Sequence, residues 1–286
     1  MPATYQLHEQ PELDSPVLLV ALEGWIDAGF AAVNAMATVL AGLDTEPVAS
    51  FDADELLDHR ARRPVLHLVE GVNTSLSWPG IELRSAKCAM GKDLLLLVGA
   101  EPDHSWRAFT TAVIDLAQRF GTRMVVGFGA YPAAVPHTRP TVMSVTASDE
   151  EMAGRWPFLR GTLDVPAGVQ AAIERSAGDA GLPAIGLWAQ VPHYTSAMAY
   201  PAASRAILQA TETVAGIDLP DGTLDEEAEE ARSRLDQIIA GNEEHARMVA
   251  ALEQEADSTP GSTSIPSGDE LAAELERFLR EQGREQ

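Results

Sequence analysis

Side chains that can act as acids, bases or ligands recur where predicted strands end. The tripeptide Val-Pro-His occurs twice, at 135–137 and at 191–193, each time after an apolar run and close to a Tyr-Pro pair. The polar side chains at these two places are Tyr131, His137, Arg139, His193 and Tyr194. Ligands gather outside the carboxyl ends of the strands in an open α/β sheet. We therefore expect the two loops to form one surface, for binding or for assembly.

Two further predicted strand exits extend this candidate binding surface with Glu23, Asp27, His104 and Arg107. Together these side chains supply acids, bases and possible metal ligands. Each of these side chains could instead have a structural role. Asp27 precedes a predicted helix and fits an N-cap, and a histidine that follows a rigid proline can serve to order its own loop.

No catalytic or cofactor motif accompanies these residues. The Gly-rich turn at 23–29 lacks both the Lys-Ser/Thr pair of a phosphate-binding loop and the dinucleotide glycine pattern. The sequence also lacks His-Glu-x-x-His and Gly-x-Ser-x-Gly. We predict no catalytic residue, no metal and no cofactor, and a protein that is not an enzyme. The alternative is a small-molecule-binding protein or hydrolase-like enzyme that uses the polar site at the carboxyl edge of the sheet.

The elements that must position these side chains alternate between strands and helices up to about residue 220. Continuous apolar runs predict buried strands at 17–22, 94–99, 123–128 and 184–190. Helical spacing predicts helices at 28–43, 106–120, 167–178 and 201–214. The segment 81–86 alternates apolar and polar residues, which predicts a half-exposed edge strand. The expected fold is α/β with three layers, α/β/α, around a mostly parallel or mixed sheet.

Charge and cysteine content narrow the classes of partner. The 286 residues include 20 basic and 43 acidic ones, for a net charge of −23. The electrostatic field of such a negatively charged protein argues against nucleic acid and anionic membrane as partners. The single Cys88 excludes an internal disulfide and any multi-cysteine metal site. No segment resembles a signal peptide and no apolar run approaches the roughly 18 residues of a spanning helix, so we expect a cytoplasmic protein.

The composition changes near residue 221, which divides the chain. We predict an α/β core domain at 1–220, an acidic helical extension at 221–256, a flexible linker at 257–268 and a short amphipathic helix at 269–286. From residue 221 onwards there are 18 acidic and 6 basic residues. The last helix carries an apolar stripe that we predict to bind a partner in the helix-in-groove mode, formed by Leu271, Leu275, Phe278 and Leu279.

Several separated segments together resemble one family. They are LEGWIDAG at 22–29, FDADEL at 51–56, RRP at 62–64, GAEP at 99–102, GFGAYP at 127–132 and the two VPH loops. This pattern is similar to that of the proteasome assembly chaperone 2 (PAC2) family, in its actinobacterial branch. The resemblance implies a phosphorylase/hydrolase-like α/β/α domain and a homo-oligomer, with a trimer as the best expectation.

The same resemblance implies a function. Eukaryotic and archaeal relatives assist assembly of the proteasome core particle, so we expect a non-enzymatic oligomeric assembly factor or scaffold. Its expected partners are itself and proteasome subunits. Relatives that dock on proteasome α-rings use a C-terminal hydrophobic-Tyr-any motif. The printed sequence ends in Gly-Arg-Glu-Gln, so docking of that kind is not expected.

Overall fold

The computed structural model describes residues 4–258. The strands are β1 Tyr5–Leu7, β2 Val17–Glu23, β3 Thr45–Phe51, β4 Val65–Val69, β5 Val72–Ser77, β6 Ile81–Lys87, β7 Asp93–Ala100, β8 Met124–Ala133, β9 Met143–Ala147 and β10 Ala184–Pro192. The helices are α1 Ala31–Gly42, α2 Ala53–Leu56, α3 Trp106–Arg119, α4 Glu150–Gly154, α5 Val169–Asp179, α6 Pro201–Ala215, α7 Leu224–Ala240 and α8 Glu243–Ser258.

The main sheet has eight strands in the order β1-β3-β6-β7-β2-β8-β10-β9. The four central strands β7, β2, β8 and β10 are parallel neighbours, and every pairing outside them is antiparallel. The sheet is therefore mixed. The central strands are continuous apolar runs because both of their faces are covered by helices.

Two hydrophobic cores lie on opposite faces of this sheet. On one face, α1 and α6 pack against alternate residues of the central strands, such as Leu19 and Leu96. On the other face, α3 and α5 pack against the intervening residues, such as Leu18 and Leu95. The fold is thus the expected three-layer α/β/α arrangement.

The acidic segment after residue 221 forms two helices that add to the α6 side. α7 contacts α6, and α8 contacts α7. A single helix-forming stretch was expected here, but the helix is interrupted at Gly241–Asn242, between α7 and α8. The Asn242 side chain accepts the N–H groups of Glu244 (2.9 Å) and His245 (3.2 Å) and so caps α8. The linker expected at 257–268 and the helix expected at 269–286 lie outside the described residues, apart from Asp257 and Ser258 at the end of α8.

One strand differs from expectation, and one pair of strands lies outside the main sheet. β6 is not an edge strand, because it pairs with both β3 and β7. Its alternation arises because Ile81 and Leu83 face the α3 side, while Glu82 and Arg84 stay half-buried on the other face. β4 does not join the main sheet but forms a separate hairpin with β5.

Candidate functional site

The central parallel strands end at one edge of the sheet, and the side chains predicted from the sequence lie along this edge. They do not form one cluster. His137, Arg139 and Tyr194 contact the acidic helices, Tyr131 lies in a separate polar group, and Glu23 and Asp27 border a cleft. His104, Arg107 and His193 are exposed and lie outside these three groups.

His137 is the most buried of these residues, with 1% of its side chain exposed. Its backbone N–H donates to the Tyr194 hydroxyl oxygen at 2.9 Å, and its Nδ1 lies 2.8 Å from the same oxygen. Its Nε2 lies 3.0 Å from Oδ1 of Asp236 on α7. The phenol therefore accepts the amide and donates to Nδ1, which leaves Nε2–H to donate to the carboxylate.

This Tyr-His-Asp chain has the connectivity of a proton relay but is not set up to react. Both ring nitrogens of His137 are hydrogen-bonded and the ring is buried, so neither is free to bind a metal ion, and Nδ1 can exchange a proton only with Tyr194. Burial raises the pKa of the Tyr194 phenol, and the nearby carboxylates of Glu253 and Asp236 raise it further. The phenol therefore stays protonated near neutral pH. The arrangement holds α7 against the strand-end loops.

Arg139 attaches α8 to the same loop. Its guanidinium is bidentate to Asp257, with Nε–Oδ1 at 2.9 Å and a terminal nitrogen to Oδ2 at 2.7 Å. It also lies 3.2 Å from a carboxylate oxygen of Glu253, which accepts the Thr138 hydroxyl as well. Hydrogen bonding to Arg139 lowers the pKa of Asp257. We call the set His137, Arg139, Tyr194, Asp236, Glu253 and Asp257 the tail latch.

The two Val-Pro-His loops are not equivalent. His193, in the second loop, is exposed, and its ring meets only the edge of Tyr194 with centroids 5.3 Å apart. No ion pair or side-chain hydrogen bond of the His193 ring is present within residues 4–258. The shared tripeptide thus turns the chain at both strand ends, but only His137 holds a helix.

Tyr131 belongs to a polar group across the last three strands of the sheet. Its hydroxyl oxygen accepts Nε2–H of Gln190 at 2.8 Å and the Ser144 hydroxyl at 3.1 Å. Gln190 is its register partner on β10. Burial raises the pKa of the Tyr131 phenol, so this group is also neutral and structural in character.

A cleft of about 370 Å³ opens where β2 and β7 end. The chain leaves β2 towards α1 on one face and leaves β7 towards α3 on the other, and such switch points are where α/β folds bind ligands. Its lining is mainly small and aliphatic, and it includes the aromatic Trp25 and Trp188 and the acidic Glu23, Asp27 and Glu101.

Two of the acids in this cleft cap helices. The Asp27 carboxylate accepts the N–H groups of Ala32 (2.8 Å) and Val33 (3.1 Å), so it has the capping role expected from the sequence. Burial raises the pKa of Asp27, although these amide bonds oppose the shift. The buried Glu101 accepts the N–H of Val169 at 2.6 Å, at the start of α5. Glu23 itself is exposed.

The exit from β7 is held by Arg62 rather than by His104 or Arg107. Arg62 lies 3.2 Å from the Asp103 carboxylate and donates to the Glu23 carbonyl at 3.2 Å. The Asp103 carboxylate also accepts the Asp58 N–H, and these contacts lower its pKa against the opposing effect of burial. The side chains of His104 and Arg107 point to no partner within residues 4–258.

One further carboxyl group, that of Glu174 on α5, has a shifted pKa. Burial raises the pKa of Glu174 to about 7, although the Thr146 hydroxyl donates to it at 2.6 Å. Trp188 also donates through its indole N–H to Thr146, at 3.2 Å. This group had no distinctive pattern in the sequence.

The sequence did not indicate the acidic partners in the tail latch or the lining of the cleft other than Glu23 and Asp27. Asp236, Glu253 and Asp257 lie 99, 114 and 118 residues from the side chains that they contact. The only sequence signal was the helical pattern of an acidic segment. Within residues 4–258, no group of three or more His, Cys, Asp or Glu side chains is placed to hold a metal ion. No helix in the described part of the chain is long and apolar enough to cross a membrane.

Comparisons with known proteins support the family resemblance described from the sequence. The PAC2 family model matches residues 21–239. Mycobacterium tuberculosis Rv2714, a protein of unknown function, is 37% identical with a TM-score of 0.82, covering 90% of this chain and 92% of that one. The M. tuberculosis proteasome-assembly chaperone homologue Rv2125 is 32% identical with a TM-score of 0.76, covering 82% and 99%.

More distant structures share the fold. Pyrococcus furiosus PbaB, an archaeal proteasome activator, is 16% identical with a TM-score of 0.64, covering 82% of this chain and 98% of that one. At this identity the similarity concerns the fold alone. A search of curated proteins gave no match.

Proposed function

The chain belongs to the PAC2 family, and we propose that it is an oligomeric, non-enzymatic assembly factor that binds proteasome core-particle subunits. The proposal draws on the named relatives, one a proteasome-assembly chaperone homologue. The proposal assigns the function to protein-binding surfaces rather than to a catalytic centre.

The observation that carries the proposal is the tail latch. A catalytic site needs groups that are free to exchange protons or bind a reacting atom. At the ends of β8 and β10 these groups are consumed in holding α7 and α8 (His137 by Asp236, Arg139 by Asp257). The strand ends thereby support a fixed acidic surface, which suits recognition of a basic protein surface.

The outer surface of α7 and α8 is the proposed recognition surface. Glu226, Glu229 and Glu230 on α7 are exposed, as are Glu243 and Glu244 on α8. Electrostatic complementarity of this kind accelerates encounter and rejects acidic competitors more than it adds affinity. The C-terminal stripe of Leu271, Leu275, Phe278 and Leu279, outside the described residues, remains the predicted apolar anchor for the same partner.

The proposed oligomer is a homo-trimer in the cytoplasm. Exposed aromatic and aliphatic side chains at the exit of β2 support self-association, since soluble monomers rarely expose large contiguous apolar patches. Trp25 is 47% exposed and Phe30 is 50% exposed.

The test is reconstitution of the core particle from purified α- and β-subunits of the source organism, followed by its peptidase activity over time. The chain should raise the rate or yield of active particle. The double variant Leu275→Ser with Phe278→Ser should lose this effect. Glu274→Ser with Arg277→Ser, on the polar side of the same stretch, is the matched control and should retain it. Equal assembly with and without the chain contradicts the proposal.

The cleft at the switch point favours a second candidate function, a small-molecule-binding protein. Its volume of about 370 Å³ lies within the range of ligand pockets, and its aromatic walls with the carboxylates Glu23, Asp27 and Glu101 suit a cationic organic ligand. Thermal-shift screening with organic amines tests it. A shift that Trp25→Ala abolishes supports this function, and no shift with any amine contradicts it.

A further inference from the structure

Gln170, at the start of α5, carries a buried polar atom without a partner. Its Nε2 makes no hydrogen bond within residues 4–258. Four buried side-chain atoms of the described chain share this property, and Gln170 is the one of the four that lines the cleft where β2 and β7 end. Buried polar groups in native proteins are nearly always hydrogen-bonded, because a buried donor without a partner destabilises the folded state. The exception in the wall of a cleft indicates that the missing partner comes from outside the chain.

The Gln170 side chain is held in place by the strand beneath it. A Cβ atom on Gly127 of β8 would lie 2.5 Å from Cδ of Gln170. The side chain therefore lies directly on the backbone of Gly127, in space that the side chain of any other residue at 127 would need. The amide thus keeps a fixed place in the wall of the cleft.

Two tryptophan rings of the cleft are positioned in the same way. A Cβ on Gly129 would lie 2.5 Å from Cζ3 of Trp188, and a Cβ on Gly168 would lie 2.8 Å from Cδ1 of Trp25. The indole N–H of Trp188 also donates to the Thr146 hydroxyl at 3.2 Å. Both rings line the cleft. Flat aromatic side chains that are fixed in a cleft of mainly apolar lining favour a flat ring as the ligand.

The carboxyl groups of the cleft restrict the charge of that ligand. The carboxylates of Asp27 and Glu101 already accept backbone N–H groups, and the exposed Glu23 lies at the same cleft. A carboxylate on the ligand would meet these three acids and be repelled. An amine is compatible with them, but its N–H groups are donors and cannot pair with Nε2 of Gln170, which is a donor too. The missing partner is therefore an uncharged acceptor.

The carbonyl oxygen of an amide meets this requirement. An amide group also complements a glutamine side chain as a whole, because each of the two groups has a donor and an acceptor. A hydrocarbon ring or a simple amine offers no acceptor of this kind.

We propose that the cleft binds a planar aromatic amide, and that Gln170 determines this specificity by donating from Nε2 to the carbonyl oxygen of the ligand. The inference rests on the second candidate function, small-molecule binding in the cleft, and names the uncharged group that the ligand carries. An amine elsewhere on the same ligand is compatible with it.

The test compares three ligands that share one ring and one amine, by ligand-detected NMR titration of the full chain. The first, 4-(aminomethyl)benzamide, carries the carbonyl group. In 4-methylbenzylamine a methyl group replaces the carboxamide, and in 4-(aminomethyl)benzoate a carboxylate replaces it. The amide should bind about tenfold more tightly than the methyl analogue, because it gains a hydrogen bond to a donor that was unpaired. The carboxylate should bind more weakly than the amide.

Two variants assign the difference to Gln170. Gln170→Leu removes the donor and should weaken binding of the amide about tenfold, while binding of the methyl analogue stays unchanged. Gly127→Ala should have the same effect, because its methyl group would displace the amide and leave Gln170 in the chain. Gln118→Leu, at an exposed glutamine on α3, is the matched control and should change neither affinity.

Thermal unfolding without ligand separates this role from a structural one. Loss of an unpaired buried donor should leave Gln170→Leu at least as stable as the wild type. A lower unfolding temperature would show that the amide has a structural partner, and it would overturn the inference.

The binding results can also overturn it. Equal affinity of the wild type for the amide and the methyl analogue contradicts the inference but leaves the second candidate function standing, since an amine still binds. The inference also fails if Gln170→Leu weakens both ligands equally or weakens neither. Binding of none of the three ligands contradicts the second candidate function as well. The assay contains no proteasome subunit, so none of these results bears on the role as an assembly factor.

Discussion

Replacement of His137 by alanine should release α7 from the body of the protein. Two described side chains of α7 are buried, Leu224 and Leu235, and Arg205 of α6 pairs with Asp225 in the first turn of α7. Beyond that turn, the attachment of α7 depends strongly on the latch. The substitution removes the bond from Nε2 to Asp236 and the contact of Nδ1 with Tyr194.

The magnitude follows from these two bonds and from the burial of the ring. A hydrogen bond contributes about 0.5–1.5 kcal/mol, and more when one partner is charged. Asp236 is half exposed and regains water, which places its bond at the lower end. We expect a loss of about 2 kcal/mol in the free energy of local opening, which corresponds to a roughly 30-fold rise in the open population.

The assay is hydrogen exchange by mass spectrometry, with peptides that cover α7, α8 and the central strands. Amides of α7 should exchange roughly 30-fold faster in His137→Ala, while those of β2 and β7 keep their wild-type rates.

The second Val-Pro-His loop provides a matched control in the same molecule. His193→Ala removes an exposed ring that meets only the edge of Tyr194, so we expect a change within about 0.5 kcal/mol. Unchanged α7 exchange in His137→Ala, or an equal rise in both variants, would refute the structural role given to His137.

Substitutions at three other positions test the elements that pack on the sheet. Asp27→Ala should lower the free energy of unfolding by about 1 kcal/mol in urea titration through loss of the α1 cap, and Asp27→Asn by much less. Glu174 has a pKa raised to about 7, so its ionisation destabilises the folded state. This destabilisation is absent below the ordinary pKa near 4.5, grows as the pH rises, and is complete above pH 7. Glu174→Gln should therefore be more stable than the wild type by about 1–2 kcal/mol at pH 8 and equal to it at pH 4. Gly99→Ala should cost more than about 3 kcal/mol, measured by thermal unfolding, because Gly99 has φ +115° and an added Cβ would lie 2.1 Å from the Gly80 carbonyl oxygen.

The core of the fold could be predicted because its signals are local. Continuous apolar runs identify strands that are covered on both faces, as at 17–22 and 94–99. The β6 position could not be inferred in the same way. Alternation shows that one face of a strand is less covered, but not whether the strand has neighbours on both sides, and β6 has both. The exposed hairpin departs from the rule that apolar strands are buried.

Three of the six tail-latch residues are among the candidate binding residues named from the sequence, and ligand binding by them stays a prediction. His137, Arg139 and Tyr194 stand out because they are scarce side chains at strand ends. Their partners are carboxylates in a segment where acidic side chains are frequent, so Asp236 and Glu253 have no local pattern that distinguishes them from their neighbours. The packing of α7 on α6 and of α8 on α7 brings them to the loop.

The most direct test of the proposed function is native mass spectrometry of the full chain mixed with purified proteasome α- and β-subunits during core-particle assembly. We predict a transient complex of this chain with unassembled or half-assembled subunits that disappears as the mature particle forms. Mature particle that forms without any such complex would contradict the role as an assembly factor.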